Sequence, residues 1–188
     1  MRALRYRISP GRNSEAGVAA VEFAFLVPVL LGMFCGIVDI SQMLYAYYQL
    51  DQAVAAGAQY AVLNAANVTS TSGASLASSI ATVVENANGS AWANDTIVVN
   101  DGPTVTVTGG SASSSGTASN ADSYYCLTGS QPSWTWGTGS TTQVTCSNGD
   151  TAGKYVTVSA SYAYVPIVAL PGVFSNTTLT ESTAVRVQ

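Results

Sequence analysis

The sequence contains no histidine. That absence removes a Ser–His–Asp triad, a Cys–His pair and histidine zinc ligands. Charge is scarce too, with charged residues making up 9% of the chain. It is also unevenly placed. Arg2, Arg5, Arg7 and Arg12, four of the six basic residues, lie in the first twelve positions. Beyond Gly17 only Lys154 and Arg186 are basic, against nine acidic residues, a balance of −7. With no basic patch, nucleic acid is excluded as a partner. The polar remainder is built from Ser, Thr, Asn and Gly rather than Lys and Glu, as on many secreted surfaces. No set of side chains suggests a catalytic group, a metal site or a cofactor, so the chain reads as a non-enzyme.

What the sequence does have is one long apolar run. Sixteen residues from Phe23 to Val38 carry no charge. Counted from Val18, with Glu22 included, the run has 21 residues, about 31 Å of helix against a hydrocarbon core of about 30 Å. Arginines precede the run and no basic residue follows it closely. That asymmetry puts the N-terminus in the cytoplasm and the rest outside. Tyr45, Tyr47 and Tyr48 follow where an aromatic belt would sit. A cleaved secretory signal needs a shorter core and a small-residue cleavage site, which "DISQMLYAYYQL" lacks. A lipoprotein signal ending at Cys35 needs a small residue where Phe34 stands. The remaining reading is a retained anchor, in which Cys35 is a small apolar residue at mid-membrane.

The segment "EAGVAAVEF" places Gly17 five residues before Glu22, at the start of an apolar helix. This resembles the processing site of type IV prepilins, where a membrane aspartyl peptidase cuts after the glycine and leaves a glutamate at the fifth mature position. The cut would fall between Gly17 and Val18 and discard a basic leader, 1–17, of net charge +3. Further along, Val21–Glu22–Phe23, Pro28, Gly32, Gly36, Tyr45 and Ala56–Gly57–Ala58–Gln59–Tyr60–Ala61 resemble the TadE-like minor pseudopilins of tight-adherence (Flp-type) pilus systems. Ala55–Ala56 stands where that family often has Arg-Glu. The likeness covers about fifty residues, with a looser echo in "YVTVSASYAYVPIVALPG".

The resemblance implies an inner-membrane precursor with a cytoplasmic N-terminus and an extracytoplasmic, pilin-like body. Its partners would be a prepilin peptidase, other pilins or pseudopilins and the assembly platform, in pilus assembly, secretion or surface adhesion. It also implies that Glu22 neutralises the α-amine freed at Val18, in its own chain or a neighbour's. A carboxylate inside a membrane is costly enough to be a functional signal, although at the first helical turn it can also sit among headgroups and favour the helix's positive end. Gly32 and Gly36 form a G-x-x-x-G pair that permits close helix approach. Pro28 removes one backbone donor. Phe23 completes the helix-assembly set. A membrane-anchored adhesion module outside any filament is the alternative.

The expected organisation is a leader, 1–17, a membrane helix, 18–40, its continuation, 41–67, and an α+β body, 68–188. In the continuation Ala46, Leu50, Val54, Ala58, Val62 and Ala65 mark an apolar face, beside a small-residue stripe of Ala53, Gly57, Ala61 and Ala65. "SLASSIATVVENAN" reads as a second helix with Leu76, Ile80 and Val83 or Val84 on one face, ending near Asn88–Gly89. "TIVVN", "TVTVT", "KYVTVSASYAYV" and "LTESTAVRVQ" alternate with period two and predict a mostly antiparallel sheet. "TGGSASSSGTASNADS" reads as a flexible surface loop. Pro166 and Pro171 bracket an irregular apolar connection. Cys126 and Cys146, on the side placed outside the cytoplasm, predict a disulfide. Tyr124, Tyr125, Trp134 and Trp136 crowd that loop, either packing beneath the disulfide or offering a surface contact.

Overall fold

The computed structural model describes residues 14–87, 93–167 and 175–188. Helix α1 is one continuous element of 50 residues, Ser14–Leu63, roughly 75 Å long at about 1.5 Å per residue. It runs unbroken through Pro28. It closes before the expected boundary at 67, where Asn64 donates its side-chain amide to the Tyr60 carbonyl at 2.9 Å. A short 3-10 turn, Ala65–Asn67, follows. Helix α2, Gly73–Ala87, begins where Thr69 accepts the Ser72 N–H on its hydroxyl at 3.2 Å. The expected end at Asn88–Gly89 and the second bracket, Pro171, lie outside the described residues.

The strands are β1 Asn94–Val99, β2 Thr104–Thr108, β3 Ser111–Ser115, β4 Thr128–Ser130, β5 Ser133–Thr135, β6 Tyr155–Tyr164 and β7 Thr177–Arg186. Five of them form one sheet in the order β3-β2-β1-β6-β7, with every neighbouring pair antiparallel. The small β4–β5 hairpin stands apart. The architecture is α+β. Helix α2 covers β1 and β2, and the C-terminal half of α1 covers β6 and β7.

Two sequence expectations are corrected. The serine-rich stretch expected to be a loop contains strand β3 and a 3-10 helix, Ala118–Asp122. Every β3 residue is exposed, so the strand is held by backbone pairing with β2 and by the Ser113 hydroxyl, which donates to the Thr106 carbonyl at 3.3 Å. Gly109 and Gly110, at φ +55° and +77°, make the hairpin turn, a backbone path that glycine adopts without strain. The packed face of α1 is also broader than the one expected and ends sooner. Ala46, Leu50, Val54 and Ala58 are buried as expected, Val62 is exposed and Ala65 half-buried, and the small-residue stripe Ala53, Gly57 and Ala61 is buried as well. Closeness decided this. A Cβ built on Gly57 would stand 2.7 Å from Val84 Cγ2 and 3.3 Å from both Ile80 Cγ2 and Val158 Cγ1. Gly57 is therefore the position at which α2 and the sheet meet the helix backbone.

The core joins Leu50, Val54, Leu76, Ile80, Val84, Ile97, Val99, Val105, Val107, Val156 and Val158. Leu76, Ile80 and Val84 supply the buried face of α2. A polar hub fastens the far end. Asn100, buried at φ +55°, aims its amide nitrogen at the carbonyls of Asn120, Ala121 and Ser123. Its side-chain oxygen accepts the Tyr155 N–H at 3.1 Å. Nearby, the buried Lys154 ammonium donates to the Val68 carbonyl at 2.9 Å and stands 5.8 Å from the Tyr124 ring centre. One of the two cations beyond the N-terminal arginines thus clamps the helix connection to β6.

Candidate functional site

Helix α1 lives in two environments. Its C-terminal half is built into the body. Its N-terminal half lies open, with Val18, Val21, Phe23, Phe25, Leu26, Val29, Leu30, Leu31, Met33 and Phe34 all exposed. One helix in the described residues is long and apolar enough to cross a membrane, and this is it. A water-facing helix is normally polar on its outer face. One that is apolar all round belongs in a large core or in lipid, and the body does not cover this stretch.

The residues singled out from the sequence for processing and helix assembly all lie on α1. The Gly17–Val18 bond sits inside its first turns, because the helix begins at Ser14. Glu22 is exposed one turn further on and has no ion-pair partner among the described residues. Phe23 is exposed beside it. Pro28 and Gly32 follow on the open helix, and Gly36 is half-buried. A Cβ built on Gly17 or on Gly32 meets nothing within 4 Å among the described residues. Unlike Gly57, neither has a packing reason among the described residues to be glycine, although glycine in a helix costs about 1 kcal/mol relative to alanine.

The divide between the two halves falls at Asp39, which is buried. Its side-chain Oδ1 accepts the Ile167 N–H at 2.7 Å. Its backbone carbonyl accepts the Tyr164 hydroxyl at 2.8 Å. Burial, followed by the neighbouring Asp39 charge, pushes the Tyr164 hydroxyl above its ordinary pKa, so it remains a donor at neutral pH. Two turns on, Tyr47 donates to Glu181 Oε2 on β7 at 2.9 Å, and that bond, with the glutamate's charge, raises the phenol's pKa. In the sequence Asp39 only ended an uncharged run. Its partners lie more than 120 positions away, and no local signal announces them.

The disulfide loop forms a separate unit. Cys126 and Cys146 are joined, with Cα atoms 5.7 Å apart. Tyr125 is buried and packs edge-on against Trp136, ring centres 5.6 Å apart. Tyr124, Trp134 and Trp136 are half-buried, and Tyr124 lies under the Lys154 ammonium. The Trp134 indole N–H is buried without an acceptor among the described residues. Gln131, between β4 and β5, donates its amide to the Ser182 carbonyl and ties the hairpin to β7. Among the described residues, no group of three or more acidic, cysteine or histidine side chains could hold a metal ion.

Fold and site together define a class: a chain whose single membrane-length helix continues, without a break, into the core of an α+β body. Residues 17–59 match the family model described as TadE-like protein, consistent with a TadE-like protein of tight-adherence pilus systems. The matched stretch spans both halves of α1, from the glycine before Val18 to the helix face that includes Gly57. No curated protein and no solved structure matches the chain.

Proposed function

We propose that this chain is a minor pseudopilin of a tight-adherence or related secretion system, held in the bacterial inner membrane by the N-terminal half of α1, with its body on the extracytoplasmic side. The observation that carries the reading is the open apolar half of α1, joined to the body and matched by the TadE-like family model over 17–59. A prepilin peptidase cuts after Gly17. Because that bond lies within helix, the enzyme must unwind a turn to reach it, and a glycine free of packing lowers the cost of doing so. The cut creates an amine at Val18, one helical turn from Glu22. In a low-dielectric setting the two opposite charges compensate each other far more than in water. Gly32, with no neighbour of its own, then offers close approach to another subunit's helix. The role is structural rather than catalytic.

The test is the N-terminus. Protein extracted from membranes of a host with the peptidase is expected, by mass spectrometry, to begin at Val18. An intact Met1 or Arg2 end overturns processing. Glu22→Ala is expected to leave the protein in the membrane but reduce piliation, and unchanged piliation removes the assembly role. The compact disulfide loop sustains a second reading, an anchored adhesion module. That reading gains if deleting 111–147 abolishes adhesion while pili still form.

A further inference from the structure

The N-terminal half of α1 is not the chain's only exposed apolar surface. Outside α1, the large apolar side chains exposed among the described residues are Val144, Val165 and Ile167. The last two lie together just past the end of β6, at 64% and 63% exposure, and Pro166 between them is buried. The alternation turns both β-branched side chains away from the body. No charged residue occurs between Lys154 and Glu181, so this arm of the sheet has none of the charges that usually keep a strand end in water.

The arm's position is fixed. Tyr164 and Ile167, on either side of Val165, are both hydrogen-bonded to Asp39. Asp39 directly follows the 21-residue stretch Val18–Val38, whose helical length of about 31 Å equals a hydrocarbon core. A span beginning at Val18 therefore ends at the residue to which the arm is bonded. Val165 and Ile167 are thereby held at the depth where acyl chains give way to headgroups, a zone in which apolar side chains are buried while the backbone polar groups beside them still find partners.

We propose that Val165 and Ile167 form a second membrane contact, seated in the lipid boundary beside the Asp39 end of the span. The partner is the bilayer itself. This rests on the reading of α1 as a membrane anchor. Its consequence is that the body does not swivel freely on one helix. Two contacts, α1 and the β6–β7 arm, set its tilt.

The test uses the full chain with Cys35→Ala and the Cys126–Cys146 disulfide intact, reconstituted into phosphatidylethanolamine–phosphatidylglycerol vesicles. A nitroxide is attached to a single introduced cysteine in Val165→Cys, Ile167→Cys, Leu30→Cys or Ser113→Cys. Collision with oxygen reports lipid, and collision with a nickel chelate reports water. Leu30 on the open helix is expected to read deep lipid, and Ser113 on β3 to read water. Positions 165 and 167 are expected to read shallow lipid, with an oxygen-to-nickel ratio several-fold above that at 113. If 165 and 167 match 113 while 30 stays in lipid, the second contact is overturned and the anchor stands. If 30 reads water, the anchor itself falls and the second contact with it. Shielding of 165 and 167 from both reagents means that protein covers the arm, such as a second copy, and also overturns the proposal. Unsubstituted protein gives an independent reading with a phospholipid carrying a diazirine near its headgroup. Adducts at 165–167 support the contact, and adducts confined to α1 refute it.

Discussion

Asp95 is placed where a carboxylate is least at ease, and that makes a measurable demand on the fold. It sits on β1 with 1% of its surface exposed, on the same face as Ile97 and Val99. Its neighbours across the sheet are Val107 and Ala160. One carboxylate oxygen takes no hydrogen bond among the described residues. Desolvation, with a smaller contribution from the Glu85 charge on α2, raises its pKa from 3.8 to about 6. A shift of about two units corresponds to about 3 kcal/mol. The folded state binds this proton more tightly than the unfolded chain. Stability from this group is therefore greatest below about pH 4, falls as pH rises towards 6, and stays low above that.

Asp95→Asn has nearly the same shape and cannot ionise. Near pH 4 its stability should lie close to that of the native protein, offset only by the amide's own burial. By pH 7.5 the variant should have gained about 3 kcal/mol on the native protein, or roughly 6–12 °C in melting temperature for a chain of this size. The useful quantity is the change in that difference between the two pH values. Groups that do not interact with Asp95 titrate equally in both proteins and cancel. Among them is Asp122, whose pKa is lowered by its hydrogen bonds with Ser70. The assay is thermal unfolding of the full chain in detergent, followed by near-ultraviolet circular dichroism of its tyrosines and tryptophans. A difference that does not change with pH refutes the reasoning, because Asp95 would then titrate as an ordinary carboxylate. Glu85→Gln should move stability in the same direction by less.

Two further substitutions probe the packing. Gly57→Ala should destabilise by about 1–3 kcal/mol by overpacking against Val84, read as a lower melting temperature, whereas Gly32→Ala, with nothing within 4 Å among the described residues, should not lower it and should gain about 1 kcal/mol from alanine's better helix propensity. Asn100→Ala should cost about 3 kcal/mol in denaturant unfolding, since it strands the half-buried Tyr155 N–H and removes the donor facing three carbonyls; Asn100→Gly should recover about 1 kcal/mol of that by relieving the positive φ.

Elements whose side chains alternate or recur were plain in the sequence. The β1, β2, β6 and β7 patterns pick out one sheet face each, and Leu76, Ile80 and Val84 mark the packed side of α2. Strand β3 was not visible, because "SASSS" buries nothing and its pairing rests on backbone and one serine hydroxyl. Its one signal was the Gly109–Gly110 pair between Thr108 and Ser111, a hairpin turn that serine-rich composition disguised. The α1 face was legible except at Val62, and what periodicity could not tell was that α2 docks on the small-residue stripe around Gly57. Gly17, Val18, Glu22, Phe23, Pro28, Gly32 and Gly36 were singled out by local spacing and resemblance, and all lie on α1. The Asp39 junction could not, because its bonds close only when the sheet folds back on the helix. Asp95 lay in view, in register with Ile97 and Val99, but a single acid in a strand is ordinarily placed on the wet face.

The junction also constrains any assembly step. If α1 leaves the bilayer to enter a filament, Asp39 leaves with it, and so does the β6–β7 arm bonded to it through Tyr164 and Ile167. Val165 and Ile167 then lose lipid at the same moment as Phe23, Leu30 and Phe34. Together these side chains form an apolar surface too large for water, so a neighbouring subunit must replace lipid along the helix and at the arm alike. Gly32, which carries glycine's helix cost without any contact of its own, lies on that surface where another backbone can come close. On the proposed reading, the helix half that the body leaves bare and the arm that the body holds beside it would form one interface, covered by lipid before assembly and by protein after it.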